Sequence, residues 1–458
     1  MGNCDILNII NRDPQSVQGY QNYVANKLAN TSDAFMFFRS FAACFYCVLD
    51  HDTTWNSPTF HKIRQFEGWC VGDAHPGNFG VLPLYPTSGD KKLVFTANDA
   101  DDGTHGLPVY DILRLLTGIH YLDVPYNPND LICAYLSGLS SGKFPNKKSE
   151  IKDFLTNCKV DDPANPNNPY NLLCDVTTNC FTCNNDFGKI SNSNKLIPKT
   201  TGGSPEEDIF IQPTETAAIT NFVANDCFLK EYEVRHSLAF MKKTGGSGFL
   251  RQFRICLLNP NLANSDPFRH VILDIKPQCN SGVDYPNPTH DVKQIVARVN
   301  SALRKERGGE LCRFNRAVEI PGLGCGAFSL RARWEGQQSI NLPERQNAAG
   351  LTVYTMNNPN LLCAEATILG ILHRTAMLGN NDVDEYMVAI DSIRANLIAL
   401  SQTLYNQMVT AYQCCCQVGQ NGCECCDAAL LQLVWQIRNN ATPTPASTPN
   451  SNKNCCNT

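Results

Sequence analysis

With 458 residues, 43% of them hydrophobic, the chain holds enough apolar material for a sizeable core, which excludes wholesale disorder. Its 38 Lys and Arg against 43 Asp and Glu leave a net charge of -5, so no bulk attraction draws it to nucleic acid, although phosphate can be held locally. No apolar run is long enough to span a bilayer and no secretory signal opens the chain, so a cytoplasmic protein is expected.

Residues 1 to about 30 read as polar and partly helical. From Ser32 the run AFMFFRSFAACFYCVL predicts a buried helix. GWCVGDAHPGNFGVLPL then predicts strand, turn and strand, and KKLVFTANDADDG a strand running into an acidic turn. Between Leu107 and Leu122, the residues Val109, Ile112, Leu113, Leu116 and Ile119 recur at helical spacing.

From Phe144 to Glu207 the composition shifts to Asn, Pro, Lys, Ser and Gly, which predicts an insertion with long loops serving as a lid or adaptor surface. Order returns near Asp226. The Gly-rich segment FMKKTGGSG leads into the strand-like FLRQFRICLL, and HVILDIKP is a short strand carrying Lys276. Asp291 to Arg304 predicts a helix, AFSLRARWEG a strand, and Ala364–Met377 and Asp384–Tyr412 two closing helices. The expected division is 1–143 for N-terminal helices and acidic loops, and 144–225 for the insertion. A Gly-rich β lobe at 226–345, a helical part at 346–438 and a tail at 439–458 follow.

Cysteine is the compositional anomaly, at 23 residues. An odd number leaves at least one thiol unpaired in a monomer, and those in apolar runs, such as Cys44 and Cys47, read as small buried hydrophobes. Cys180 and Cys183 form a single CxxC, which without a second reads as free thiols rather than half a zinc site.

The chemistry centres on two loops. GDAHPGNFG supplies Asp73, His75 and Asn78, and NDADD supplies Asp99 and Asp101 on the next hairpin. Phosphoryl transfer needs a carboxylate for the acceptor hydroxyl and oxygen ligands for magnesium, and this set provides both. Gly245, Gly246, Ser247 and Gly248 form a turn whose backbone amides could approach phosphate oxygens, while Lys276 on a following strand could neutralise them. GDxH also opens the metal-binding series of calcineurin-like phosphoesterases. That chemistry needs a late His-x-His, which none of the nine histidines forms. His373, alone on an apolar helix, reads as a packed core residue.

In order, FMFFRS, VGDAHPGNFG, VFTANDADDG with YDILRL, GGSGFLRQFRICLL, VILDIK and SLRARWEG resemble the bacterial family called domain of unknown function 2252. Through it the chain resembles the protein-kinase-like fold of the aminoglycoside-phosphotransferase type. The resemblance implies an α+β, two-lobed, intracellular transferase that binds ATP and Mg and acts on an unknown acceptor, a small molecule or a protein. Asp73, with His75 beside it, would be catalytic; Asn78, Asp99 and Asp101 would hold the metal; Gly245, Gly246, Ser247, Gly248 and Lys276 would hold the nucleotide. Asp111 would be a structural anchor.

Two departures accompany the resemblance. The catalytic loop precedes the Gly-rich loop, so the fold would be circularly permuted. The helix after Lys276 offers no interior Glu; Asp284 or Asp291 could substitute, and Glu306 lies beyond it. A nucleotide-binding pseudokinase or interaction protein is therefore the alternative.

At the C-terminus, Cys455 and Cys456 end a Pro- and Thr-rich tail in the manner of doubly prenylated small GTPases, and Gly2 opens the chain as in myristoylated proteins. The cluster Cys414–Cys416 with Cys423, Cys425 and Cys426 could be acylated, bind metal or form disulfides. Two lipid chains suffice for stable anchoring, so membrane tethering stands as the alternative to an unmodified tail.

Overall fold

Helices dominate the N-terminal third because its apolar residues recur at helical spacing, and the structure, a computed structural model, shows where they break. It describes residues 20–84, 92–141, 143, 145, 148–158, 206–242, 249–264, 266, 268–284, 291–306, 313–324, 326–332, 338–339, 342, 344–346, 352–356, 358–376, 383–416 and 434–438. Gly245–Gly248, expected to form a phosphate-binding turn, lie outside these residues, as do Cys180, Cys183, Cys423, Cys425, Cys426 and both termini.

Helix α1 spans Tyr20–Ala29, α2 Ala34–Ser40 and α3 Ala42–Asp50. The single helix expected from Ser32 onward is two, because Phe41 adopts φ -128° and ψ 61° between them. Asp33 starts α2 by accepting a hydrogen bond from the Met36 N–H at 2.9 Å. Strands β1 (Gly68–Cys70), β2 (Phe79–Leu84), β3 (Lys92–Ala97) and β4 (Thr104–Gly106) follow, with β1 pairing β4 and β2 pairing β3. Helices α4 (Val109–Ile119), α5 (Pro128–Ser141) and α6 (Lys148–Asn157) come next.

Beyond 205 the chain forms β5 (Glu206–Ile209), α7 (Pro213–Asn225), β6 (Glu233–Lys242), β7 (Arg251–Leu258), β8 (His270–Pro277) and α8 (Val292–Glu306). Strands β9 (Asn315–Glu319) and β10 (Ala327–Ala332) complete an antiparallel sheet of order β5-β6-β7-β8-β10-β9. The sheet therefore reaches back to Glu206, ahead of the Asp226 start expected from composition. Short strands β11 (Gln338–Ser339), β12 (Glu344–Gln346) and β13 (Thr352–Tyr354) lead to α9 (Asn360–Ala376), α10 (Val383–Ser392) and α11 (Arg394–Cys416). The expected closing helix 384–412 is thus split at Ile393, whose N–H bonds back to the Ile390 carbonyl in a tightened turn.

The two largest apolar clusters among the described residues lie one among the helices and one at the sheet, and the fold is α+β. The larger gathers Phe35, Phe38, Phe45, Leu116, Leu369 and Leu404 among the helices. Helices α5 and α9 touch backbone to backbone within it: a Cβ on Gly138 would lie 2.0 Å from the Thr367 carbonyl oxygen, and one on Gly370 2.2 Å from that of Tyr135. The second core buries Phe253, Ile255, Leu273, Ile275 and Phe328 of the sheet beneath Ile219 and Val223 of α7. Helix α8 joins the parts, packing Val299, Ala302 and Leu303 against Trp69 on one side and Ala317 on the other. Among the described residues no helix is long and apolar enough to cross a membrane.

Candidate active site

The first loop begins where β1 ends, and its backbone is held before any side chain reaches solvent. The Asp111 carboxylate, in the first turn of α4, accepts the Val71 N–H at 2.6 Å and the Gly72 N–H at 2.8 Å. Tyr46 donates its hydroxyl to the Gly72 carbonyl at 2.5 Å. Behind Asp111 stands His373 of α9, with Nε2 3.0 Å from the carboxylate and Nδ1 2.5 Å from the Tyr135 hydroxyl. Tyr135 in turn lies 3.0 Å from the Tyr386 hydroxyl. His373 is buried, as expected, but it is a partner of the anchor rather than a bystander.

Gly72 has φ +81°, and a Cβ there would sit 2.1 Å from the Asp102 carbonyl oxygen. The position thus needs both a left-handed conformation and a bare backbone, because the acidic turn presses directly on it. Gly72→Ala is expected to destabilise the protein by more than about 3 kcal/mol, read as a lowered urea midpoint or loss of soluble protein. A wild-type midpoint would show that the two loops do not touch.

Asp73 projects from this fixed backbone. Arg114, one turn after Asp111 on α4, donates Nε to its Oδ1 at 2.9 Å and a second guanidinium nitrogen at 2.5 Å. Arg114 itself is buried between the Phe38 and Phe45 rings, 4.3 and 5.2 Å from their centroids. Burial pushes the Asp73 carboxyl up to about 7; Arg114 opposes this, and the negative charges of Asp102 and Asp99 reinforce it. A carboxyl so placed is suited to taking a proton near neutrality.

His75 is buried, and burial, followed by the charges of Arg39 and Arg114, drives its pKa well below the ordinary value, so the ring is neutral. Its Nδ1 lies 2.8 Å from the Pro76 carbonyl, so Nδ1 carries the proton and Nε2 is an acceptor, 3.6 Å from Asp73 Oδ2. Asn78 donates its amide to the Asp73 carbonyl at 2.9 Å, which turns Oδ1 to the other side. Glu365 of α9, fully buried, accepts the Gly77 N–H at 3.3 Å, and burial pushes its carboxyl well above the usual range.

The acidic turn meets the sheet through Lys276. Its Nζ lies 3.3 Å from Asp99 Oδ2 and contacts Asp101 Oδ2. Burial works against ionising Asp99, yet Lys276 and then Arg331 hold its carboxyl well below the usual range. Asp101 is pushed up by burial and by the neighbouring Asp99 charge. For Lys276, burial is outweighed by the two carboxylates, and the ammonium is held more tightly protonated than usual.

Asp102 ties the turn to the segment after β8: its Oδ1 accepts the Gly282 N–H at 2.7 Å, and its carbonyl accepts the Ser281 hydroxyl at 2.5 Å. Arg298 of α8 fastens the same junction, donating to the Gly103 carbonyl at 2.7 Å and the Cys279 carbonyl at 2.6 Å.

Asp73, Asn78, Asp99, Asp101 and Lys276 are therefore brought together. The alternative acidic partners of Lys276 are not. Asp284 accepts the Thr104 hydroxyl at 3.1 Å, and Asp291 caps α8 by accepting the Lys293 N–H at 2.8 Å. Glu306 is the last residue of α8 rather than beyond it, and its carbonyl accepts the Thr96 hydroxyl at 2.6 Å. Gly245–Gly248 lie outside the described residues; beside them the Phe249 N–H donates to the Lys242 carbonyl at 2.8 Å. Among the described residues no group of three or more His, Cys, Asp or Glu is arranged to hold a metal.

Sequence reasoning missed Arg114, Asp102, Tyr46 and Glu365. Arg114 alone carried a signal, since it follows Asp111 by three residues on one helical face.

No curated protein and no solved structure matches the chain. Residues 25–122 match the family model DUF2252, described as an uncharacterized protein conserved in bacteria. Over that stretch, which holds the Asp73 loop, the acidic turn and the Asp111–Arg114 helix, the chain is similar to the DUF2252 family.

Proposed function

We propose that the protein is a kinase-like phosphotransferase that uses ATP and magnesium and acts on a hydroxyl acceptor. The observation that carries this reading is the convergence of Lys276 on Asp99 and Asp101 beside Asp73. Counting from the strand that enters the Gly-rich hairpin, Lys276 stands on the third strand and a helix follows, the placement that kinase-type phosphate sites use. The β lobe comes after the catalytic loop in the chain, so the two-lobed arrangement would be a circular permutation.

Within this reading Asp73 takes the proton of the acceptor hydroxyl, and Arg114 keeps its carboxyl pointed from a buried, rigid base. Asp99, Asp101 and the Asn78 Oδ1 are hard oxygen donors, and magnesium needs only one or two carboxylates besides water and phosphate, so the donor set fits it. When bound, the metal would screen the charge that builds on the transferred phosphoryl group. Lys276 would turn from the carboxylates to the phosphates. His75, a neutral acceptor, would help hold the Asp73 side of the site.

Nucleotide binding without turnover is the second reading. It is favoured by α8, where no carboxylate precedes Glu306, leaving Lys276 to the acidic turn alone. A thermal shift with Mg-ATP, followed by ATP consumption, separates the two. Lys276→Ala should lose most of the nucleotide response, and Lys276→Arg should restore it only in part, because a planar fork places its charge differently. An undiminished response in Lys276→Ala would sink both readings.

A further inference from the structure

Strand β10 lies hydrogen-bonded beside β8, with Ser329 directly opposite Lys276 and Arg331 opposite Asp274. Alternation along each strand puts Lys276, Ser329 and Arg331 on one face of the sheet. Their neighbours Ile275, Leu330 and Ala332 are buried, while these three are half-buried, so they form the open part of that face. Asp274, the acid across from Arg331, is committed elsewhere: it accepts Arg254 Nε at 2.7 Å, and Arg254 also binds Glu206 at 2.8 and 2.9 Å.

Arg331 makes no hydrogen bond or ion pair with any described residue. Its charge nevertheless reaches Asp99, as that of Lys276 does. A half-buried guanidinium with no partner among the described residues, beside an ammonium, is costly unless an anion is to be received there.

We propose that Arg331 is a second phosphate-binding cation of the site, so that the donor is a polyphosphate chain gripped at two points by Lys276 and Arg331 with the Ser329 hydroxyl between them. This rests on reading the site as one for phosphoryl transfer. Diagonal neighbours on adjacent strands stand about 7–8 Å apart, a spacing that suits two phosphates of one chain better than a single phosphate. Charge balance points the same way. Without ligand, Asp99 and Asp101 occupy Lys276; once those carboxylates turn to a cation, Lys276 is released to join Arg331 in facing anionic oxygens. The planar fork of Arg331 can take two oxygens of one phosphate, which fixes the orientation of the chain.

Calorimetric titration of the full chain with Mg-ATP, AMP and magnesium tripolyphosphate tests this on wild type, Arg331→Ala, Arg331→Gln, Arg331→Lys and Lys276→Ala. Arg331→Ala and Arg331→Gln should weaken Mg-ATP and tripolyphosphate by about tenfold or more and change AMP little. Arg331→Lys should recover part of the loss. Tripolyphosphate should compete with ATP on wild type, which shows that the phosphates, not the base, are read. Melting without ligand screens the variants, and Arg331→Gln decides should Arg331→Ala not fold. Wild-type affinity for Mg-ATP in Arg331→Gln, alongside loss in Lys276→Ala, would overturn the role of Arg331 and leave the phosphotransferase reading standing. A wild type that binds neither ATP nor tripolyphosphate would remove both.

Discussion

Asp111→Ala is expected to lower stability by about 3–5 kcal/mol, or to prevent folding outright, as read from the urea midpoint by tryptophan fluorescence. The carboxylate is fully buried and accepts three donors, from Val71, Gly72 and His373. Its removal leaves them facing a cavity, and each unsatisfied buried donor costs about 1–3 kcal/mol. Asp111→Asn should fall between, because one amide oxygen still accepts while the amide nitrogen opposes a donor. Asp111→Ala combined with His373→Leu should cost less than the two single changes added together, since both remove the same bond. A wild-type midpoint in Asp111→Ala would mean that the loop is held by something else.

The anchor explains why parts of the site could be read from the chain and others could not. Val71–Gly80 and Asn98–Gly103 are local loops whose Gly, Pro, Asn and Asp announce a turn wherever they occur, so Asp73, Asn78, Asp99 and Asp101 were legible. Lys276 was legible because a strand of five buried residues ends on a charge. What holds these residues comes from far away in sequence. His373 reaches Asp111 across 262 positions, and Glu365 reaches Gly77 across 288. Neither helix position looks other than apolar-facing before the fold brings α9 against the loop.

Strand β5 was hidden for a different reason. EEDI reads as an acidic loop, yet Glu206 becomes buried because Arg254 neutralises it within the sheet. The break at Phe41 is likewise tertiary, since the sequence there, Arg39-Ser40-Phe41-Ala42, has no Gly or Pro to mark it.

Asp73→Asn should reduce phosphoryl transfer by about two to four orders of magnitude, because an amide cannot take the proton of the acceptor hydroxyl. Nucleotide binding should survive, since Lys276, Asp99 and Asp101 are untouched. The same residue should leave a mark on stability that does not depend on turnover. In the metal-free protein the carboxyl is raised from 3.8 to about 7, so between those values the folded chain holds a proton that the unfolded chain has released. The contribution of Asp73 to stability must therefore fall as pH rises from about 4 to 7, and it is fully present only at the acid end of that window. A shift of about three units at about 1.4 kcal/mol each bounds the loss at about 4 kcal/mol. Asp73→Asn has no proton to release, so its urea midpoint, measured in EDTA at pH 5 and pH 7.5, should decline less than that of the wild type. Arg114 opposes the upward shift; its guanidinium is the counter-charge that keeps the window from moving further toward alkaline pH. Equal declines in wild type and Asp73→Asn would show that Asp73 is ionised throughout. In that event Arg114 has already claimed the lone pair that proton transfer needs, and the carboxylate is a structural counter-ion rather than a base.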